Sequence, residues 1–222
     1  MRPMFLLESG ESSRGVSLRS LFDGGPAAIV RSRPTLGDVA FLTCRGGWPK
    51  AVGQPKELAL QQAQDYVDAV VESDISRVDG VRRDPERVCM LMRSYARMTA
   101  SQGSYETMLR DVAKSGLSFG RTSFLEYVAA LKRLFVTDDL GAWNPNLRAK
   151  EDVRTSPTRH FVDPSIATAA LGAGPGDLMG DLNTFGLVFE SLCVSSQSEC
   201  DVKICVVFAS EASYDSSRMR GG

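Results

Sequence analysis

The sequence predicts a mostly α-helical protein with short strands, of the α+β class, whose central part has the outline of a winged helix-turn-helix. Three observations support this prediction. Apolar residues recur at helical spacing from Lys56 onward. Asp84-Pro85-Glu86 combines an N-cap residue, a proline at the first helical position and an acid in the first turn. Two further helices around a glycine turn then precede a strand.

The first predicted helix spans residues 56–74. It is amphipathic, since its apolar residues lie three or four positions apart: Leu58, Ala59, Ala63, Tyr66, Val67 and Val70. The helix that follows Asp84 is expected to end near Gly103 and to bury Val88, Met92 and Tyr95.

Ser104 is expected to cap a third helix that reaches about Lys114, and residues 115–118 form a turn. A fourth helix is predicted over 121–135. On a helical wheel of about 100° per residue, its buried face carries Phe124, Val128, Leu131 and Phe135, and the opposite face carries Thr122, Glu126, Ala129 and Arg133.

Two short strands complete the predicted winged-helix outline. Residues 136–140 form the first wing strand, 159–162 form the return strand, and the polar stretch 144–157 forms the wing. Asp163-Pro164 then predicts the start of another helix, which reaches Leu171.

A last amphipathic helix is predicted over 177–194, with Leu178, Leu182, Phe185, Phe189 and Leu192 on one face. The rest of the chain is polar and rich in serine, except for an apolar run at 203–209. A single strand without a partner leaves its backbone groups unsatisfied. We therefore expect this tail to be disordered or to add a single strand to the edge of a sheet.

Composition limits the function classes. The formal net charge of −1 excludes a global electrostatic attraction to nucleic acid or to an anionic membrane. The chain has neither the apolar core of a signal peptide nor a membrane-spanning segment, which predicts a cytoplasmic protein. The five cysteines include no pair at zinc-knuckle spacing, so we expect free thiols and no metal site.

The sequence offers little catalytic machinery. His160 is the one histidine of the chain, and we interpret it as a partly exposed strand residue rather than a catalyst. The glycine-rich phosphate-binding motifs of nucleotide-binding folds do not occur. Asp177 and Asp181 lie one turn apart at a predicted helix start, where they are expected to cap the helix rather than bind a metal.

The winged-helix outline raises the question of DNA binding. The candidate contact residues are Arg121, Lys132 and Arg133 on the predicted recognition helix and Arg154 on the wing. The outward face of that helix is nearly neutral, whereas duplex binding depends on several phosphate contacts. We therefore expect nucleic-acid binding to be weak.

The most basic stretch of the chain precedes this helix and contains Arg82, Arg83, Arg87, Arg93 and Arg97. The wing is expected to add a mild excess of positive charge from Arg148, Lys150, Arg154 and Arg159. We interpret the arginines of the basic stretch as a solvated face that pairs with the acidic part, residues 65–74, of the first predicted helix.

Several short motifs occur in one order along the chain: Arg2-Pro3-Met4, Glu8-Ser9-Gly10-Glu11, Gly46-Gly47-Trp48-Pro49, the outline at 86–140, His160-Phe161-Val162-Asp163 and Phe185-Gly186 with Phe189-Glu190. In this order they resemble the C-terminal portion of a bacterial and archaeal family of AAA-type ATP-binding proteins, over roughly residues 1–194. In that family an ATPase module precedes an uncharacterised domain with a winged-helix part and a nuclease-like part.

The resemblance implies five regions. They are the end of an ATPase module at 1–45, a helical linker at 46–84, a winged-helix-like domain at 85–172, the start of a nuclease-like unit at 173–194, and a divergent, disordered tail at 195–222. The family's phosphate-binding loop would lie before Met1, and its nuclease motif would follow Cys193. The chain is therefore expected to be truncated at both ends, as a frameshifted or shortened gene would produce.

The expected function is that of the C-terminal region of an AAA-type ATP-binding protein. By itself the chain is expected to be no enzyme, with no cofactor and no assigned catalytic residue. The alternative is a stand-alone winged-helix DNA-binding regulator. A third interpretation is an interaction module that binds a protein partner, or a second copy of itself, through exposed apolar surface.

Overall fold

The computed structural model describes residues 3–12, 23–24, 34–117, 119–141 and 156–197, and this part of the chain is mostly helical. Its principal α-helices are α1 (Leu36–Arg45), α2 (Lys56–Ala69), α3 (Pro85–Arg97), α4 (Tyr105–Lys114), α5 (Arg121–Arg133), α6 (Pro164–Leu171), α7 (Pro175–Gly180) and α8 (Leu182–Gln197). Among the described residues, no helix has both the length and the apolar character required to span a bilayer.

Helix α1 is an element that the sequence analysis did not predict. Thr35 and Asp38 form a capping box, in which the Asp38 amide donates to the Thr35 hydroxyl oxygen (3.2 Å) and the Thr35 amide donates to the Asp38 carboxylate (2.9 Å). This reciprocal pair satisfies two backbone donors at the helix start. The Thr-x-x-Asp spacing was the available signal for this helix.

The predicted helix at 56–74 is confirmed and extends slightly further. Helix α2 continues through a π-helical turn, Val70–Asp74, into a short α-helical turn, Ile75–Arg77. The side chains of Val70 and Ile75 are buried in this continuation. A π-helical turn changes the helical phase, and here both apolar side chains still reach the core.

The predicted starts of α3 and α4 are confirmed. The Asp84 carboxylate accepts the Glu86 amide (3.0 Å), and the Ser104 hydroxyl oxygen accepts the Thr107 amide (3.1 Å). Helix α3 buries Val88, Met92 and Tyr95 as expected. It ends at Arg97 rather than near Gly103, because the chain at 99–101 leaves the helix to pair with Arg159.

Helix α5 buries Phe124, Val128 and Leu131 as predicted, but the expectation that Phe135 shares the buried face is wrong. The helix ends at Arg133, and Phe135 adopts a left-handed backbone with φ 55°. This conformation turns the chain away from the helix, so the Phe135 side chain is 73% exposed. The helical-wheel prediction was wrong here because it assumed that the helix reaches residue 135, two residues beyond its end at Arg133.

Isolated β-bridges connect three short extended segments. Thr137 pairs with Phe161 and Leu140 with Thr158 in antiparallel fashion, and Thr99 pairs with Arg159 in parallel fashion. The segment at 158–161 therefore lies between the other two. The predicted wing, 144–157, falls outside the described residues except for its last two positions.

Helix α6 occupies the centre of the described fold. It packs against α1, α2, α3 and α8. Three of its side chains are small enough to allow this close approach, and they are almost fully buried together with Ile166: Ser165, Ala167 and Thr168. Helices from four of the five regions implied by the resemblance therefore surround one short helix.

The predicted single helix at 177–194 is wrong in one respect: it is two helices, α7 and α8, separated at Asp181. The Asp181 carboxylate accepts the Asn183 (3.2 Å) and Thr184 (3.1 Å) amides and so starts a new helix with a new phase. As a result, Phe185 is buried, whereas Leu182 and Phe189 are 62% and 43% exposed.

A buried ion pair joins the bridged segments to the helices. The Arg159 guanidinium donates to the Asp139 carboxylate (2.7 Å), and the two side chains are 3% and 7% exposed. Arg159 also donates to the Gly103 carbonyl oxygen (2.9 Å) and lies over the Tyr105 ring, 4.3 Å from its centroid. Asp139 also accepts the Tyr95 hydroxyl and contacts the Lys132 ammonium (3.1 Å).

Replacing Arg159 by Met is expected to destabilise the fold by about 3 kcal/mol, because a buried carboxylate then loses its principal partner. Lys132 remains near Asp139 and keeps the loss at the low end of the usual range. Urea unfolding followed by circular dichroism measures the change in free energy. Arg121→Met is the matched control, since Arg121 and Glu106 form an exposed pair and its loss is expected to have little effect. Equal effects of the two substitutions would contradict this account.

Candidate functional site

The strongest candidate site is a seam where residues 3–12, the turn at 46–48, the segment 158–165 and helix α8 meet. These stretches include motifs that carry the family resemblance in the sequence. Sequence reasoning did not predict that they contact one another, because the first two lie more than a hundred residues before the last two.

Asp163 links the turn at 46–48 to the start of α6. Its carboxylate accepts the amides of Ser165 (2.8 Å) and Gly47 (2.8 Å). The side chain is buried, and burial raises the pKa of this carboxyl above its ordinary value despite the hydrogen bonds. The Trp48 indole N–H donates to the Ser165 hydroxyl oxygen (2.9 Å) and provides a second link between the same elements.

The two glycines of this turn are required by close approach. Gly46 has φ 69°, and a Cβ atom there would overlap the Asp163 carboxylate. A Cβ atom on Gly47 would overlap the carbonyl oxygen of Met4. The Met4 amide donates to the Gly47 carbonyl oxygen (2.7 Å), so residues 3–5 lie directly against the turn.

Arg45, the last residue of α1, is buried and holds the same N-terminal segment through charge. Its guanidinium forms an ion pair with Glu11 and donates to the Gly46 carbonyl oxygen (3.0 Å) and to the Ser9 hydroxyl oxygen (3.4 Å). Partial burial alone would raise the pKa of Glu11, but its bonds to Arg45 and Ser9 hold that pKa below its ordinary value. Glu11 is therefore the ionised partner of a buried arginine.

His160 is buried, at 2% exposure, so the interpretation of a partly exposed strand residue is wrong. It lies between the bridged residues Arg159 and Phe161, and helix α8 covers it. Its Nδ1 is 2.9 Å from the Ser191 hydroxyl oxygen, while Nε2 has no hydrogen-bond partner among the described residues. Burial lowers the pKa of His160, although Asp138 and Asp139 oppose this change.

A cavity of about 40 Å³ lies beside His160. It is lined by Pro3, Met4 and Phe5, by Asp138, His160, Phe161, Val162 and Asp163, and by Ser191, Val194 and Ser195 of α8. The cavity therefore borders three of the elements that form the seam.

The predicted DNA-contact residues do not converge with this seam. Arg121 pairs with Glu106 (2.6 Å), Lys132 with Asp139 (3.1 Å) and Arg133 with Asp79 (3.6 Å). The fourth residue, Arg154, lies outside the described residues. Each of the three described cations is thus matched by an acid of the same chain.

The basic stretch does not pair with the acidic residues at 65–74, so that part of the interpretation is wrong, whereas Arg82, Arg93 and Arg97 are exposed as expected. Its acidic partners lie closer in the fold: Asp79 binds Arg83 (2.7 Å), Asp84 lies 3.7 Å from Arg87, and Asp111 binds Arg97 (2.9 Å). Arg83 is buried rather than solvated. Arg159, which was assigned to the basic wing, is likewise buried in its pair with Asp139.

The remaining polar candidates have structural roles. Asp177 accepts the Gly174 amide (2.8 Å), and Asp181 caps α8, so the capping prediction for both is confirmed. The described cysteines, Cys44, Cys89 and Cys193, are free thiols. Within the described ranges, no group of three or more histidine, cysteine, aspartate or glutamate side chains is placed to hold a metal.

A protein-family model described as Domain of unknown function (DUF8612) matches residues 36–177. Neither the curated proteins nor the solved structures include a match to this chain.

Acidification from about pH 7 to pH 5 is expected to destabilise the fold through His160. The unfolded chain binds a proton near the ordinary histidine pKa of about 6.5, whereas the buried imidazole binds it only at lower pH. The contribution of His160 to the free energy of unfolding is therefore fully present above about pH 7. Below that pH it falls by up to about 1.4 kcal/mol per pH unit. Urea unfolding at a series of pH values measures this slope.

His160→Gln is the control, since His160 is the one histidine of the chain. The variant is expected to lose most of the slope between pH 7 and pH 5. A slope that persists unchanged in His160→Gln would show that other groups cause the pH dependence.

Proposed function

The chain belongs to the DUF8612 family, and we propose that it serves as a non-catalytic coupling domain in the C-terminal region of an AAA-type ATP-binding protein. The observation that carries this proposal is the attachment of residues 3–12 to the helical body. In the family resemblance, these residues belong to the end of the ATPase module. They contact the turn at 46–48 through the Met4–Gly47 hydrogen bond, and they contact α1, which the resemblance places in the same module, through the Arg45–Glu11 ion pair.

The seam supplies a continuous set of contacts from this segment into the core. Glu11 binds Arg45 at the end of α1, and the following turn donates to Asp163 at the start of α6. Helix α6 packs against α3 in the centre of the fold. A displacement of residues 3–12 would thus act on buried and hydrogen-bonded groups, which are the kind of contacts that carry coupling between sites.

We also propose that residues 85–162 form a winged helix. The order of elements supports this: α3, the extended segment at 99–101, α4, α5, and then two segments bridged in antiparallel fashion. Helix α5 would occupy the position of the recognition helix.

The charges and exposed side chains on the surface of this winged helix favour a protein partner over nucleic acid. The cations of α5 are paired with acids, and the large apolar side chains Phe135 and Leu125 are 73% and 40% exposed at or near this helix. Met179, Leu182 and Phe189 are further exposed apolar residues on α7 and α8. Exposed apolar side chains favour contact with protein where they form a continuous patch.

The second candidate function is that of a stand-alone DNA-binding regulator, favoured by the winged-helix order of elements. Three phosphate contacts by Arg121, Lys132 and Arg133 would give a slope of about −2.7 in a plot of log affinity against log salt concentration. We expect weak binding with a flatter slope, measured by fluorescence anisotropy with a labelled duplex. A steep slope that is lost in the triple alanine variant, and retained in Arg82→Ala/Arg93→Ala/Arg110→Ala, would instead support this regulator.

Sequencing the gene with several hundred bases on each side, together with mapping of its transcript start, tests the proposed link to an ATPase. We expect a coding region for a phosphate-binding loop upstream. A promoter directly before the Met1 codon, with no such region, would contradict the AAA-type assignment and leave DNA binding as the leading function.

Gly47→Ala is expected to detach residues 3–5, because the added Cβ atom overlaps the Met4 carbonyl oxygen. Overpacking of this kind costs about 1–3 kcal/mol. Amide hydrogen exchange followed by NMR is expected to show faster exchange at Met4, whose amide donates to Gly47.

Gly37→Ala in α1 is the matched control, since its new Cβ atom would meet no atom closer than 3.8 Å. This control is expected to leave Met4 exchange unchanged. Equal protection of Met4 in wild type and Gly47→Ala would show that the segment is not held as described.

A further inference from the structure

We propose that the cavity beside His160 is a binding site for ordered water, and that this water hydrogen-bonds to Nε2 of the buried imidazole. The site belongs to the described fold and does not depend on the proposed link to an ATPase. It adds a solvent molecule to the contacts between residues 3–5, the segment 158–163 and helix α8.

The first argument is the unmatched hydrogen-bonding capacity of His160. The side chain is almost fully buried, and one ring nitrogen, Nδ1, is bonded to Ser191. The other, Nε2, is shielded from bulk solvent and has no partner in the described part of the chain. Buried polar groups in folded proteins are nearly always bonded to protein or to ordered water.

The second argument is size. The cavity that His160 lines has a volume of about 40 Å³. One water needs about 10–15 Å³ of such space, so the cavity has room for up to about three molecules. A ligand of ordinary metabolite size does not fit.

The third argument is chemical. The Ser191 hydroxyl lies 2.9 Å from Nδ1 and 3.4 Å from the Leu187 carbonyl oxygen, so its single proton serves one of the two contacts. Nε2 is a donor if Ser191 donates to Nδ1, and an acceptor if Nδ1 donates to Ser191. Water meets both requirements because it donates and accepts.

The cavity lining disfavours charged alternatives. Asp138 and Asp163 both border it, and a small anion would lie close to their carboxyl groups. A bound cation would require a cluster of ligands, and within the described ranges no group of three or more suitable side chains is placed to hold one. Hydroxyl groups line the cavity as well, from Ser191 and Ser195 of α8. Ser195 already donates its hydroxyl proton to the Leu192 carbonyl oxygen (3.0 Å), so its oxygen would act toward water as an acceptor. Water needs two to four polar partners, and we infer that Nε2 and these hydroxyl oxygens serve as such.

Water-selective NMR of the whole chain tests the proposal directly. The ring protons of His160 are assigned without ambiguity, since the chain has one histidine. We expect nuclear Overhauser cross-peaks from the ring protons to water, with the sign of a molecule that stays bound for longer than about a nanosecond. Ser191→Ala must retain these cross-peaks, which excludes relay through the exchanging hydroxyl proton of Ser191.

Val194→Phe is expected to fill the cavity and abolish the cross-peaks, because Val194 lines it. Val194→Leu is a smaller filling variant for use if the Phe variant does not fold, and it is expected to reduce the signal at least twofold. Val81→Leu, at a surface position that is 54% exposed, is the matched control and must retain the signal. Absence of the cross-peaks from the folded wild type, or their persistence at full intensity in both Val194 variants, would overturn the proposal.

Discussion

The buried ion pair between Arg159 and Asp139 connects more of the fold than any other polar contact described above. It joins the two extended segments that follow α5, and its other bonds reach Tyr95 of α3 and the Gly103 carbonyl. Burial of two charges is costly unless their geometry and remaining hydrogen bonds are good, as they are here. This pair acts together with the β-bridges on both sides to position the segment 158–165. That segment in turn places His160 under α8 and Asp163 at the start of α6.

Most helices with a local start signal were predicted from the sequence, although the equally local Thr35–Asp38 capping box of α1 was missed. Asp84-Pro85, Ser104 and Asp163-Pro164 all cap helices as expected, because a side chain that accepts a nearby amide needs no distant partner. Errors arose where the chain changes direction within a predicted helix. Phe135 leaves the helix with φ 55° without a glycine, and Asp181 divides the predicted last helix directly after Gly180, a signal that the helical periodicity concealed. Helical periodicity alone does not detect such changes of phase.

The candidate site was less predictable than the fold. The Gly-Gly-Trp turn and the segment after Arg159 were recognised as motifs, but their contact through Asp163 and Gly47 spans more than a hundred residues. The burial of His160 follows from the same long-range packing. His160 lies between a charged residue, Arg159, and an apolar one, Phe161, so the local alternation is compatible with either exposure and could not decide it. Likewise, local sequence could not identify the ion-pair partners of the arginines. Those partners, Asp79, Asp84 and Asp111, depend on how the chain folds between the helices.

A double-mutant cycle on Arg159 and Asp139 tests the central claim most directly. The four proteins are the wild type, Arg159→Met, Asp139→Asn and the double variant, and the free energy of unfolding of each is measured in urea. If the pair organises the fold, the two substitutions are not additive, and we predict a coupling energy of about 2 kcal/mol or more. Additive effects, with a coupling energy near zero, would show that Arg159 and Asp139 act independently and would contradict this account.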